Sequence, residues 1–271
     1  MRTVATCLAL ISAVATEVHA ECAFPGAFFS PPSGSVLPPN AVAFLFLPLG
    51  ELGGRSAAAE PVVTIVMDGV EAQVAVHEEP GGPAYRVFRL LIRAEGHAHA
   101  TLRTGVATRW LEPVTARYTF DPHWSAPRDS VRVIDVDTEV RYWTCSHNYT
   151  RNLTASPWAP AYRVTWGGKR KAVDRGQGKT QIVPGNFWEF FRLADQGSPP
   201  RDGFIKLGYA NCFGETLADT AGRIYVSVAG LYADGSAVKP GAAVEVPHVR
   251  ANPPRPIRML LRLVGNFGLG L

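Results

Sequence analysis

Apolar and polar positions alternate with a period of two along most of this chain, which is the pattern of a strand with one face in water. The sequence PVVTIVMDGVEAQVAV at residues 61–76 holds two such runs separated by Asp68-Gly69. That pair supplies the positive φ angles of a tight hairpin. Beyond it Val70, Ala72, Val74 and Val76 alternate with Glu71, Gln73 and Ala75, so the former are expected to face a core. At 85–93 Phe88, Leu90 and Ile92 share a face, Glu95-Gly96 breaks the run, and Ala98, Ala100 and Leu102 resume it opposite His97, His99, Thr101 and Arg103. Residues 41–47 are a nearly continuous apolar strand between Pro38-Pro39-Asn40 and Pro48.

The second half has the same habit. In VRVIDVDTEVRY, residues 131–142, the pattern puts Ile134, Val136, Thr138, Val140 and Tyr142 on one face and Asp135, Asp137, Glu139 and Arg141 on the other. Tyr162, Val164 and Trp166 form an inward set, as do Ile224, Val226 and Val228; Asp234-Gly235 offers a turn, and residues 243–246 can return as a last strand. With 22 prolines and 26 glycines, and no helical stripe longer than about three turns, the expected fold is all-β with short strands. Two strand blocks, joined by the breaker-rich DPHWSAPRD at 121–129, predict two sandwiches in tandem over residues 21–121 and 130–250.

Three segments carry a resemblance. Ser30-Pro31-Pro32-Ser33-Gly34-Ser35, followed by Leu37-Pro38-Pro39-Asn40-Ala41 and an apolar strand, resembles the opening of bacterial Ig-like domains. Trp110-Leu111-Glu112-Pro113-Val114-Thr115 with Tyr118 is similar to the tyrosine corner of Ig-like and fibronectin type III domains, the tyrosine falling one place late. RIYVSVAGLYADGS at 223–236 resembles the last hairpin of fibronectin type III modules. The resemblance implies exported Ig-like or fibronectin-like β-sandwich modules and no particular ligand.

The ends of the chain bear on location. Arg2, an apolar run over residues 4–15 and the small residues of Val18-His19-Ala20 are laid out as a signal peptide cleaved after Ala20. The run is shorter than the about 20 residues that span a bilayer. His19-Ala20-Glu21 before Cys22 does not suit a lipoprotein anchor. At the other end, residues 251–271 are Pro-rich and then apolar, with Ile257, Leu260, Leu261 and Val264 on one helical face. That tail is expected to dock on its own sandwich, on a partner or on a membrane surface. An exported chain with a formal charge of only +4 is not expected to bind nucleic acid.

Export makes cysteine pairing relevant. Of Cys22, Cys145 and Cys212, the expected pair is Cys145 with Cys212, both beside predicted strands of the second block; the rival joins Cys22 to either. Reaction chemistry is sparse. Asp135, Asp137 and Glu139 lie about 7 Å apart along one strand, too far for a single cation. His97 and His99 lack a third ligand nearby, and Ser236-Ala237-Val238-Lys239 falls in a hairpin loop rather than at a helix start. Asn148-Tyr149-Thr150 and Asn152-Leu153-Thr154 are glycosylation sequons that matter only in a eukaryotic secretory pathway. No catalytic residue, metal site or cofactor is therefore assigned.

The densest functional signal is the segment 167–180, where Lys169, Arg170, Lys171, Arg175 and Lys179 face only Asp174 and lead into the aromatic run at 187–191. Basic side chains gathered on a loop attract polyanions. The expectation is a non-enzymatic cell-envelope or extracellular interaction module, whose partner is an envelope polysaccharide or another exported protein. A secreted carbohydrate-active or metal-dependent enzyme on a β-sandwich, and a structural spacer, are the alternatives.

Overall fold

The computed structural model describes residues 27–48, 61–81, 85–105, 113–127, 129–142, 147–185, 201–210, 214–215 and 223–247. The first half contributes β1 (Phe28–Ser30), β2 (Val36–Leu37), β3 (Asn40–Pro48), β4 (Val62–Met67), β5 (Val70–Gln73), β6 (Ala75–Glu79), β7 (Tyr85–Arg93), β8 (His99–Gly105) and β9 (Thr115–Phe120). In the second half follow β10 (Arg132–Tyr142), β11 (His147–Ser156), β12 (Ala161–Gly167), the single helical turn α1 (Arg170–Asp174), β13 (Lys179–Pro184), β14 (Gly203–Ala210), β15 (Gly214–Glu215), β16 (Ile224–Leu231) and β17 (Val244–Val246). The fold is all-β, as the period-two patterning predicts. Among the described residues no helix is long and apolar enough to cross a membrane.

The strands form four sheets, in the orders β1-β3-β7-β6, β2-β9-β8-β4-β5, β10-β11-β14-β15 and β13-β12-β16-β17. All pairings are antiparallel except β2 with β9, where Val36 meets Thr119. The first two sheets close over one core, in which Leu45, Phe88, Leu90 and Ile92 meet Leu37, Val63, Leu102 and Tyr118. The other two close over a second, where Leu153, Ile205 and Leu207 meet Tyr162, Val164, Trp166 and Val226.

A third apolar cluster joins the two halves. Phe28, Val42, Phe44, Phe46, Tyr85 and Val87, on the outer face of the β1-β3-β7 sheet, pack against Ala161, Ile182 and Leu231 of the second half. This accounts for the unbroken hydrophobicity of β3. Its odd positions Ala41, Ala43, Leu45 and Leu47 fill the first core, and its even positions Val42, Phe44 and Phe46 fill the seam, so neither face meets water. Hydrogen bonds cross the seam too. The buried Ser30 hydroxyl donates to the Pro160 carbonyl at 2.6 Å, the Ile182 amide to Pro80 at 2.8 Å and the Val42 amide to Ala233.

Three expectations change in the structure. Asp68 (φ 48°) and Gly69 (φ 82°) make the expected hairpin, with Met67 opposite Val70, but the strand beyond is not continuous. At the buried Val74 the chain leaves β4 and crosses to the other sheet as β6, so all of β5 is exposed, Val70 at 70%. In β10 a bulge between Val133 and Asp135 shifts the register, turning Val131, Val133 and Val136 toward the core and leaving Ile134 56% exposed. The hydroxyl of Tyr118, fully buried, donates to the carbonyl of Pro31 at 2.7 Å, 87 residues upstream. That bond ties β9 to the Pro-rich lead, and it is not the short return of a tyrosine corner.

Candidate functional site

The five basic residues singled out by sequence lie on the connection between β12 and β13. Lys169 and Arg175 flank α1, Arg170 and Lys171 lie within it, and Lys179 opens β13 opposite Trp166. The expectation of a plain hairpin loop is modified here, because one helical turn is inserted. Val173 holds that turn down, only 1% exposed, its Cγ2 3.4 Å from where a Cβ on Gly167 would stand, and α1 packs on β16 and β12. Asp174 fixes its far end, one carboxylate oxygen accepting the Ala243 amide at 2.7 Å.

Two glycines shape the exit from α1. Gly176 takes φ 72°, and the amides of Gly176 and Gln177 close on the carbonyls of Val173 and Ala172, satisfying the last carbonyls of the turn. At Gly178 any side chain would meet the Trp166 carbonyl, which lies 2.6 Å from the place of a Cβ. All five basic side chains are exposed. The one acid among them is largely engaged elsewhere, since Arg170 Nε stands 4.0 Å from the second Asp174 oxygen while the first is tied to Ala243. The result is a firmly held turn with surplus positive charge directed to solvent.

The aromatic run at 187–191, Cys22, Cys145, Cys212, the leader at 1–20 and the tail at 251–271 lie outside the described residues. The strand ends around two of the cysteines are described. β10 and β11 close at Tyr142 opposite His147, β14 and β15 at Ala210 opposite Gly214, and β11 pairs β14 with Tyr149 opposite Tyr209. The connections that carry Cys145 and Cys212 therefore leave neighbouring strands at one end of one sheet.

The other candidates are dispersed. His97 lies in the turn before β8 and meets Asp68 of the hairpin at 2.7 Å, while His99 approaches the Thr119 hydroxyl at 3.4 Å. Asp135 accepts the amide of its neighbour Val136 at 2.9 Å. Ser236 sits in the turn whose amide is capped by Asp234. Among the described residues no three His, Cys, Asp or Glu side chains gather as metal ligands would. Both sequons fall on β11, hydrogen-bonded between β10 and β14.

A feature that the sequence reading passes over lies at the junction of the halves. A cleft of about 290 Å³ is walled by Trp124 and Ser125 of the connecting segment, Trp158 and Pro160 before β12, Tyr232 after β16, and Ser35 beside β2. Trp124 reaches the cores of both halves. Burial raises the Tyr232 hydroxyl to a pKa of about 12, so it stays neutral. The signal was two tryptophans placed in Pro-rich breaker segments, where a plain connection has no use for them.

No family model matches the chain, and no curated protein matches it. Among solved structures it is similar to a pullulanase complexed with maltotriose from Anoxybacillus sp. LM18-11, at 8% identity and a TM-score of 0.23, over 74% of this chain and 24% of that one. A type I pullulanase from Bacillus subtilis str. 168 complexed with maltose gives 8% identity and a TM-score of 0.22 over 78% of this chain and 24% of that one. The chain thus spans about a quarter of the length of either structure. At these TM-scores the likeness says nothing about fold or activity.

Proposed function

We propose that this is an exported, non-enzymatic interaction module of Ig-like or fibronectin-like sandwiches that contacts an anionic envelope polysaccharide through the turn at 169–179. The observation that carries the reading is the firmly held basic turn, five exposed cations around α1 with their one acid tethered to the Ala243 amide. A loop fixed by Val173 and Asp174 presents its charges without losing much conformational entropy on binding, which favours affinity. Clustered positive charge raises the local concentration of a polyanion and releases its counterions on contact.

Binding of an acidic polysaccharide, followed by calorimetry, should weaken steeply between about 50 and 200 mM salt. Changing Lys169, Arg170 and Lys171 together to Ser should abolish it while moving the melting temperature by no more than a few degrees, because exposed charges contribute little to stability. A triple variant that binds as tightly as the parent would overturn this reading. Export is tested separately by mass spectrometry of the secreted chain, which should begin at Glu21; a retained Met1 or a lipid on Cys22 would refute it.

A further inference from the structure

We propose that the cleft between the two halves is a binding site for one or two rings of a neutral saccharide, independent of the basic turn. It lies at the Ala161 end of β12, whereas the turn follows Gly167 at the other end, about 20 Å away for a seven-residue strand.

The walls are held from behind. Pro31 is fixed by the Tyr118 hydroxyl, Pro160 by the Ser30 hydroxyl, Leu37 by the Asp121 amide at 2.9 Å, and the backbone of Trp158 by the Arg201 carbonyl at 3.0 Å. The shape is therefore preformed, as small-molecule sites usually are, and its volume lies at the low end of their range.

The lining selects the ligand. Among the described residues no carboxylate or cationic side chain borders the cleft, so a charged ligand would find no counter-charge from them and would lose hydration. Trp124 and Trp158, both half-buried, and Val36, 46% exposed, offer apolar surface, and Ser35 and Ser125 place hydroxyls beside it. A pyranose has the matching chemistry, an apolar C–H face to lie on indole and a rim of hydroxyls that can donate or accept. A purely aliphatic ligand would make no use of the serine hydroxyls.

The test titrates the full chain with neutral tri-saccharides of glucose, mannose, galactose and N-acetylglucosamine, with decaproline as a competing class of neutral, aromatic-binding ligand. Tryptophan fluorescence and calorimetry are read together. At least one saccharide should saturate the signal with a millimolar Kd. Trp124→Ala should weaken it by about tenfold or more, as loss of an aromatic anchor does, and Trp124→Phe, which keeps a ring face, should restore most of it. Val36→Lys, an exposed rim position, should also weaken it, and serves if Trp124→Ala does not fold. The triple Ser variant of the basic turn should bind the saccharide as the parent does, which separates this site from the polyanion surface. Absence of saturation by every saccharide, binding of decaproline alone, or a response insensitive to Trp124 and Val36 would overturn the proposal.

Discussion

Replacing Phe46 by Ala tests whether the two halves are one body. Its side chain is fully buried in the seam, stacked on Phe28 with ring centroids 5.1 Å apart and edge-on to Tyr85 at 6.1 Å. Removing the ring exposes or empties on the order of 150 Å² of apolar contact, about 4 kcal/mol at about 25 cal/mol per Å². That agrees with the about 3 to 5 kcal/mol found when buried phenylalanines are truncated. Were the seam open, Phe46 would face water and the same change would cost about 0.5 kcal/mol or less. Urea unfolding followed by tryptophan fluorescence and far-ultraviolet circular dichroism separates the two cases, with Leu45→Ala on the opposite face of β3 as the core reference. The parent should unfold in one transition, and Phe46→Ala should lower the midpoint as much as Leu45→Ala or split the curve in two. A loss below about 1 kcal/mol for Phe46→Ala, beside a full core penalty for Leu45→Ala, would refute the packed seam.

Tyr118→Phe should cost about 1 to 3 kcal/mol, read from the same unfolding curves, because it leaves the buried Pro31 carbonyl without its donor. The pKa values of Tyr85, Tyr118 and Tyr162 are raised by burial, so in the native state these phenols stay protonated where the unfolded chain ionises near pH 10. The sign follows: their contribution is intact below pH 10 and is lost above it, at about 1.4 kcal/mol per pH unit for each tyrosine. Unfolding free energies from pH 9 to 12 should fall accordingly, and a flat profile would contradict the buried tyrosines. For the cysteines, non-reducing peptide mapping of protein prepared under oxidising conditions should show Cys145 joined to Cys212, a bridge worth about 2 to 4 kcal/mol; two free thiols, or a link to Cys22, would end that assignment.

What could be read from the sequence was set by how local the determining physics is. Asp68-Gly69 and Asp234-Gly235 form the expected turns because a positive φ is satisfied within two or three residues. The inward sets of β7, β12 and β16 emerge as predicted because burial on one face writes itself into every second position. Periodicity fails where the chain changes sheet without changing direction. At Val74 the alternation continues on paper while β5 and β6 belong to different sheets, and in β10 one bulged residue reverses the phase at Ile134. The strands β11 and β14 escape notice because their buried positions include Arg151 and Gly203, which no apolar template admits. On the candidate surface, the charges of the basic turn were visible, but the helical turn that anchors them depends on Val173 and on Asp174 reaching Ala243, a contact 69 residues away.

The unbroken apolar strand β3 was the clearest trace of the seam, and its meaning depends on a partner the strand itself does not contain. A strand apolar on both faces must be covered twice, and a single sandwich covers it once. The second cover comes from Ala161, Ile182 and Leu231, none of which differs in type from an ordinary core residue. Two modules joined by a breaker-rich segment would ordinarily be expected to move against each other. Here the connecting segment instead contributes Trp124 to both cores, and the seam buries three phenylalanines. The basic turn and the aromatic cleft lie at opposite ends of β12, which sets their separation, and the packing that hides β3 from water also holds the two walls of the cleft together.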